Sequence, residues 1–147
     1  EFSDEYIEYL YNDIKLPVRG SKGSAGYDFY LPFDLILKPN ETILIPTGIR
    51  CKMNPNYVLM IFPRSSLGFK YRLMLNNTVG IIDSDYYNAL NEGHIMIKVT
   101  NNSLENKTLE LKKGDAFAQG IFMIYGITCD DETNEIRTGG FGSTNKK

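Results

Sequence analysis

The stretch His94–Thr100, HIMIKVT, alternates between apolar and polar side chains, with Met96 ambiguous, and decides the fold class. Ile95, Ile97 and Val99 recur at every second position, which would place them on one face of an extended strand. Such a period of two predicts a β-strand with one buried face.

Five further short apolar runs lie on either side of this stretch, and turn residues such as KPNE, PTG, MNPN and KKGD separate them. The runs are DLILK (34–38), TILIP (42–46), YVLMIF (57–62), TLELK (108–112) and FAQGIFMIY (117–125). Short strands with frequent turns favour a sandwich or jelly roll over alternating strand–helix units. Helical spacing occurs only in EYIEYLYNDI (5–14), where Ile7, Leu10, Tyr11 and Ile14 would share one face of a helix, although its tyrosines would suit a strand equally well.

Composition limits the classes of function. The chain has 147 residues, of which 42% are hydrophobic, enough for one domain. Its formal charge of −2 provides no strong field for nucleic acid or a membrane, and no apolar run approaches the length of a membrane span. Cys51 and Cys129 have neither metal-site nor disulfide-framework spacing, so we expect a protein of the reducing cytoplasm.

The segment GIIDSDYYNALNEGHI (80–95) contains two aspartates in DSD. Asp83 has three interpretations: a polar turn at the tip of a hairpin, a metal site, or a general base. Turn chemistry alone explains Asp and Ser at a hairpin tip. The residues by themselves leave the three interpretations open.

Most catalytic schemes are not favoured by the sequence. His94 is the only histidine, it falls within the predicted strand, and no nucleophile elbow lies near it, so a structural role is predicted for it. No GxxxxGK[ST] loop is present. Carboxylates, arginine, serine and backbone amides remain, and these groups suit hydrolysis of a phosphate anhydride, where positioning and charge neutralisation dominate.

Three stretches provide such groups, and each also has a plain structural interpretation. FPRSSLG (62–68) and KKGDAFAQGIF (112–122) could be ordinary turns beside strands, and GGFGST (139–144) could be a disordered tail. Their candidate residues for binding phosphates or stacking on a base are Arg64, Ser65, Ser66, Asp115, Gln119 and Phe141.

Five segments in chain order together resemble the motifs of the trimeric deoxyuridine triphosphate diphosphatases (dUTPases). They are GSAGYDFYLP (23–32), PRSSLG (63–68), NNTVGIIDSDY (76–86), GDAFAQGIF (114–122) and RTGGFGST (137–144). The resemblance implies an all-β jelly roll, the dUTPase-like β-clip, over residues 1–136 and a flexible glycine-rich C-terminal lid over 137–147. It also implies a homotrimer with sites shared between subunits, which converts dUTP to dUMP and diphosphate. That reaction would limit uracil incorporation into DNA and supply dUMP for dTMP synthesis.

The resemblance also implies roles for individual residues. Asp83 would activate the water that attacks the α-phosphorus, Tyr86 would pack against the deoxyribose, and Asp28 would reach Mg²⁺ through water. An aspartate carboxylate is ionised at neutral pH and can accept a proton from that water. The remaining substrate-binding positions would be Arg64, Ser65, Ser66, Asn77, Gly80, Ile81, Ile82, Met96, Gln119, Arg137, Phe141, Gly142 and Ser143.

The chain departs from the family pattern at two points. The family commonly has Tyr-x-Gly after the aspartates, whereas residues 87–92 separate Tyr86 from Gly93 here. This insertion would alter the rim of the uracil pocket or a subunit contact. Arg137 also lies one position closer to Phe141 than in many relatives, which makes its assignment to the terminal phosphate less direct.

Two alternative functions follow from the same resemblance. The dCTP deaminases share the fold and the Arg-Ser-Ser segment, but they carry a glutamate where this chain has Lys98. Some phage dUTPases also bind repressor proteins, so a repressor is the alternative partner, with residues 87–92 as the predicted surface.

Overall fold

The computed structural model describes residues 1–140, and most of its secondary structure is antiparallel β-strand. The predicted all-β jelly roll is confirmed. The strands are β1 (Val18–Arg19), β2 (Tyr27–Tyr30), β3 (Leu35–Leu37), β4 (Thr42–Pro46), β5 (Tyr57–Pro63), β6 (Leu73–Leu75), β7 (Gly80–Ile82), β8 (Met96–Asn101), β9 (Leu109–Leu111) and β10 (Ala116–Ile124). Within these residues the strand orders are β1-β2-β10-β5-β7, β4-β8-β6 and β3-β9.

The predicted N-terminal helix is present as α1 (Asp4–Asp13). The Ser3 hydroxyl accepts a hydrogen bond from the Tyr6 backbone N–H, and this cap explains why the helix begins there. All its residues are exposed in the single chain. The Lys113 ammonium pairs with the Asp13 carboxylate at 2.5 Å and ties the end of the helix to the loop before β10. No helix within residues 1–140 is long and apolar enough to cross a membrane.

The alternation in HIMIKVT correctly identifies the buried face, because Ile95, Ile97 and Val99 are at most 2% exposed. The strand itself begins at Met96, so the prediction that His94 lies in a strand was wrong. His94 Nε2 instead accepts a hydrogen bond from the Gly48 backbone N–H at 2.9 Å. This bond supports the structural role predicted for His94.

The interpretation of residues 80–95 as a hairpin was also wrong. β7 pairs with β5, whereas β8 pairs with β4 and β6 in another sheet. The connection between β7 and β8 contains a 3-10 helix, Ser84–Asn88, directly after Asp83. The segment is therefore a crossover from one sheet to the other.

A second helix, α2 (Ser65–Tyr71), follows β5 at a point where only a strand end or turn was predicted. It ends at Arg72, whose φ of 52° is left-handed. Leu67 is its one buried residue, so apolar periodicity could not have revealed it. The helix fixes Ser65 and Ser66 in its first turn, where both side chains are exposed.

Candidate functional site

Asp83 lies in an ion-pair cluster at the end of β7. Arg137 Nη1 donates to Asp83 Oδ2 at 2.8 Å and to Asp85 Oδ1 at 3.2 Å. Asp83 heads the 3-10 helix, but its side chain makes no capping hydrogen bond there. Asp83 does begin a turn, because its carbonyl oxygen accepts from the Tyr86 N–H at 3.1 Å, but its carboxylate faces a guanidinium and is 51% exposed.

Arg137 is the most buried member of this cluster, with a side chain 13% exposed. Burial alone lowers the pKa of the Arg137 guanidinium, but its hydrogen bonds to Asp83 and Asp85 outweigh that effect and leave the pKa raised. The group consequently carries a full positive charge at any physiological pH. Residues 135–139 and Asp83 line an adjoining cavity of about 770 Å³.

Tyr86 lies beside this cluster and is 2% exposed. Its hydroxyl donates to the His94 carbonyl oxygen at 2.6 Å and accepts from Asn91 Nδ2 at 2.8 Å. The Arg137 guanidinium carbon lies 5.4 Å from the centre of the Tyr86 ring. Asn91 belongs to the insertion 87–92, and its contact with Tyr86 had no signal in the sequence beyond the unusual length of that segment.

Gly93 brings the chain back against Tyr86 after the insertion. Its φ is +71°, and a Cβ there would lie 2.7 Å from both the Tyr86 carbonyl oxygen and the Tyr87 Cα. Only glycine combines this conformation with such a close approach. The insertion therefore forms a loop whose two ends, Tyr86 and Gly93, lie in contact.

Substitution of Gly93 should destabilise the protein more than substitution of another left-handed glycine. Gly114 provides the comparison, because its φ is +86° but a Cβ there would meet nothing within 4 Å. We expect Gly114→Ala to lower the free energy of unfolding by about 1–2 kcal/mol through backbone strain. Steric overlap should add at least ~1 kcal/mol for Gly93→Ala, measured by urea unfolding. Equal losses would mean that residues 86–93 relax freely around a side chain.

A second cavity of about 320 Å³ lies between β6, β7 and β8. Asn77, Gly80, Ile82 and Met96 line it, which brings together most of the residues predicted to hold a base. Ile81 points to the opposite face of β7 and lines the Asp83 cavity.

The turn that leads into β7 is strained next to this second cavity. Thr78 has a φ of 68°, which is unusual for a β-branched residue. Its N–H donates to the Leu75 carbonyl oxygen at 2.9 Å, which closes the turn. Backbone strain of this kind often marks a binding site, and composition does not reveal it.

The predicted phosphate-binding residues form a third group, at the junction of β2, β5 and β10. Asp28 and Gln119 are register partners on β2 and β10, and Arg64 Nε lies 3.8 Å from Asp28 Oδ1. Gln119 Nε2 donates to the Pro63 carbonyl oxygen at 3.3 Å. Burial raises the pKa of the nearby Tyr30 phenol, the Asp28 charge raises it further, and the Arg64 charge opposes both.

Arg64, Ser65 and Gln119 line a groove of about 560 Å³. Asp115 is not part of it: its carboxylate accepts from the Lys112 backbone N–H at 2.8 Å and closes the turn before β10.

The third group is far from Asp83 within one chain. β5 and β7 pair antiparallel, with Leu59 opposite Ile82, so Asp83 lies beside the beginning of β5. Arg64 follows the other end of β5. The strand rise places the two residues about 20 Å apart. One chain therefore does not bring the predicted base and the predicted phosphate-binding arginine together.

Comparisons with known proteins agree with these motifs. The dUTPase family model matches residues 12–145. The chain belongs to the dUTPase family. It is 41% identical over 140 residues to the deoxyuridine 5'-triphosphate nucleotidohydrolase of Lactococcus lactis, with 93% of this chain and 92% of the relative covered. It is similar to the crystal structure of Streptococcus mutans dUTPase, with a TM-score of 0.68 and 36% identity over 80% of this chain and 90% of that one.

A phage dUTPase shares the fold at lower identity. A mutant of the Staphylococcus aureus phage phi11 dUTPase is 22% identical, with a TM-score of 0.67 over 84% of this chain and 92% of that one. That structure is described as showing the coordination of a structural Mg(II) ion.

The described part of this dUTPase-family chain fits a metal held mainly by substrate. Within residues 1–140, no three His, Cys, Asp or Glu side chains form a group that could hold a metal ion. Mg²⁺ commonly binds through one or two carboxylates together with substrate phosphates. Asp28 offers a single, partly exposed carboxylate beside the groove that Arg64 lines. Phe141, Gly142 and Ser143, which were predicted to contact substrate, lie outside the described residues.

Proposed function

We propose that this chain hydrolyses dUTP to dUMP and diphosphate. Family membership supports the substrate class, and the surroundings of Asp83 support the reaction. An ionised carboxylate at the edge of a cavity can orient a water molecule and accept its proton as the water attacks the α-phosphorus in line.

One observation carries this proposal: β7 forms part of the candidate nucleobase pocket, and Asp83 directly follows that strand. Gly80 and Ile82 line the 320 Å³ cavity, and Asp83 follows immediately. The strand rise puts about 10 Å between Gly80 and Asp83, comparable with the span from a pyrimidine ring to its α-phosphate. Asp83 lies on the Ile81 face of β7, so the α-phosphate of a uracil nucleotide bound between Asn77 and Met96 would have to pass the end of the strand to approach Asp83.

Arg64, Ser65, Ser66 and Gln119 would bind the phosphates. A guanidinium can make two parallel hydrogen bonds to phosphate oxygens, and the serine hydroxyls of α2 are exposed beside it. Mg²⁺ would be held through water by Asp28 and would neutralise charge on the triphosphate when bound. Arg137 and the residues after it would approach the nucleotide as a lid.

The distance between Arg64 and Asp83 requires a second chain to complete the site. A substrate at Asp83 cannot reach the Arg64 of the same chain, because the two lie at opposite ends of β5. We propose a homotrimer in which the β7 segment of one subunit meets the Arg64 groove of its neighbour.

The function is tested with the purified chain, Mg²⁺ and each deoxynucleoside triphosphate in turn. Release of diphosphate should occur with dUTP alone. Ammonia released from dCTP would indicate the deaminase instead, although the residue beside the nucleobase cavity is Lys98 where the deaminases carry a glutamate. No reaction with any nucleotide would favour a repressor-binding protein. Repressor binding stays a prediction, as do the roles in limiting uracil in DNA and in supplying dUMP for dTMP synthesis.

Deletion of residues 137–147 should leave a folded protein with impaired turnover. The last described strand, β10, ends at Ile124, so the sheets remain complete. Loss of Arg137 and the lid should lower kcat/KM for dUTP by about tenfold or more. Circular dichroism and steady-state kinetics measure the two properties. Unchanged kinetics would remove the tail from the site.

A further inference from the structure

The insertion 87–92 contains a polar group aimed at the tyrosine of the site. Asn91 Nδ2 lies 2.8 Å from the Tyr86 hydroxyl, and Asn91 Oδ1 lies 3.2 Å from the Gly93 backbone nitrogen. Gly93 cannot carry a side chain because of its φ and its contact with Tyr86. These contacts place the Asn91 side chain against the Tyr86 hydroxyl.

The direction of these hydrogen bonds is determined by chemistry. The Gly93 N–H can only donate, so the amide oxygen of Asn91 faces it and the amide nitrogen faces Tyr86. The His94 carbonyl oxygen can only accept, so the Tyr86 hydroxyl donates its proton to it at 2.6 Å. The result is an ordered chain from Asn91 through Tyr86 to His94, in which the hydroxyl both donates and accepts.

We propose that Asn91 is a positioning residue for sugar recognition, which holds the Tyr86 ring where it excludes a ribose 2′-hydroxyl. The inference rests on the proposed function, because it concerns the same nucleotide site. The Tyr86 hydroxyl is held by a backbone carbonyl and by the Asn91 side chain, and loss of the Asn91 bond should loosen the position of the ring. The additional residues 87–92 thus provide Asn91, whose hydrogen bond positions Tyr86.

The proposal predicts that Asn91→Ala lowers the preference for dUTP over UTP by roughly fivefold. This is the fold-change that corresponds to the net free energy of one neutral hydrogen bond. The preference is measured both as a ratio of kcat/KM values and as a ratio of dissociation constants for non-hydrolysable imido analogues of the two nucleotides. Asn91→Asp should act in the same direction, because it retains the oxygen that faces Gly93 but cannot donate to Tyr86. This second variant preserves the loop if Asn91→Ala fails to fold.

Asn88→Ala is the matched control. Asn88 is an exposed asparagine in the same connection and makes no side-chain hydrogen bond within the described residues. Its substitution should leave the preference unchanged. An equal loss in Asn88→Ala and Asn91→Ala would overturn the proposal, since both would then act by general loosening of the loop.

A double-mutant cycle separates positioning from a purely structural role. If Asn91 acts through the Tyr86 hydroxyl, Asn91→Ala should reduce the preference in the wild-type chain but have no further effect in Tyr86→Phe. Full additivity would overturn the proposal. A wild-type protein with no preference for the deoxynucleotide would defeat the proposed function itself, whereas a preference that survives Asn91→Ala would defeat only this inference.

Discussion

Asp83→Asn should lower the turnover of dUTP by at least ~100-fold while the protein stays folded. The substitution preserves the shape of the side chain and much of its hydrogen bonding but removes the ability to accept a proton from water. Binding of a non-hydrolysable dUTP analogue should change much less than turnover, because the loss concerns the chemical step. Steady-state kinetics and calorimetry with Mg²⁺ present measure the two effects.

Asp85→Asn is the control for this experiment, because Arg137 contacts both carboxylates. Its Nη1 lies 2.8 Å from Asp83 and 3.2 Å from Asp85, and the two aspartates are similarly exposed, at 51% and 57%. Each substitution removes one ion pair with Arg137, but only Asp83→Asn removes the proposed base. We therefore expect a much smaller loss for Asp85→Asn. Equal and mild losses would mean that DSD has no catalytic role.

Strands with a regular apolar period were predictable from the sequence. The alternation of Ile95, Ile97 and Val99 identified the buried face of β8, and TILIP matched β4 residue for residue. Helix α1 was predicted from its spacing, although its apolar side chains are exposed in the single chain. Local pattern was sufficient for the two strands because the apolar period and the burial agree there.

The connection after β7 was not predictable in the same way. Two apolar runs around a polar segment resemble a hairpin, but β7 pairs with β5, about twenty residues earlier in the chain, and such long-range pairing has no local signal. Helix α2 was missed because Gly68 lies within it and Leu67 is its only buried residue. In both places tertiary contacts outweigh local preference.

The sequence indicated which residues belong to the candidate site better than it indicated which of them lie close together. Asp28, Arg64 and Gln119 do come together, although nothing local to them required it. The contact between Arg137 and Asp83 joins residues 54 positions apart and was not foreseen, since the resemblance assigned Arg137 to a phosphate. Charge complementarity explains this contact once the chain is folded, because Arg137 is largely buried and needs a counter-ion.

The last prediction tests whether two chains complete each site. Asp83→Ala and Arg64→Ala proteins should each have little activity alone, because each lacks one part of every site. In a trimeric ring whose sites take Arg64 from one subunit and Asp83 from the next, every mixed trimer has one intact site of its three, so isolated mixed trimers should regain about a third of the wild-type activity. Coexpression with two different affinity tags, followed by tandem purification, isolates the mixed assemblies for kinetic assay.

The control replaces the Arg64→Ala chain with one that carries both substitutions, so that no chain in the mixture retains Asp83. No activity should return in that case. The geometry behind the expected recovery is the length of β5, which holds Arg64 and Asp83 about 20 Å apart within a chain. If verified mixed assemblies of the two single variants stay inactive, each site must be built within one chain. Residues 64 and 83 would then have to approach each other by a rearrangement of β5 and β7, and the shared-site proposal would fail.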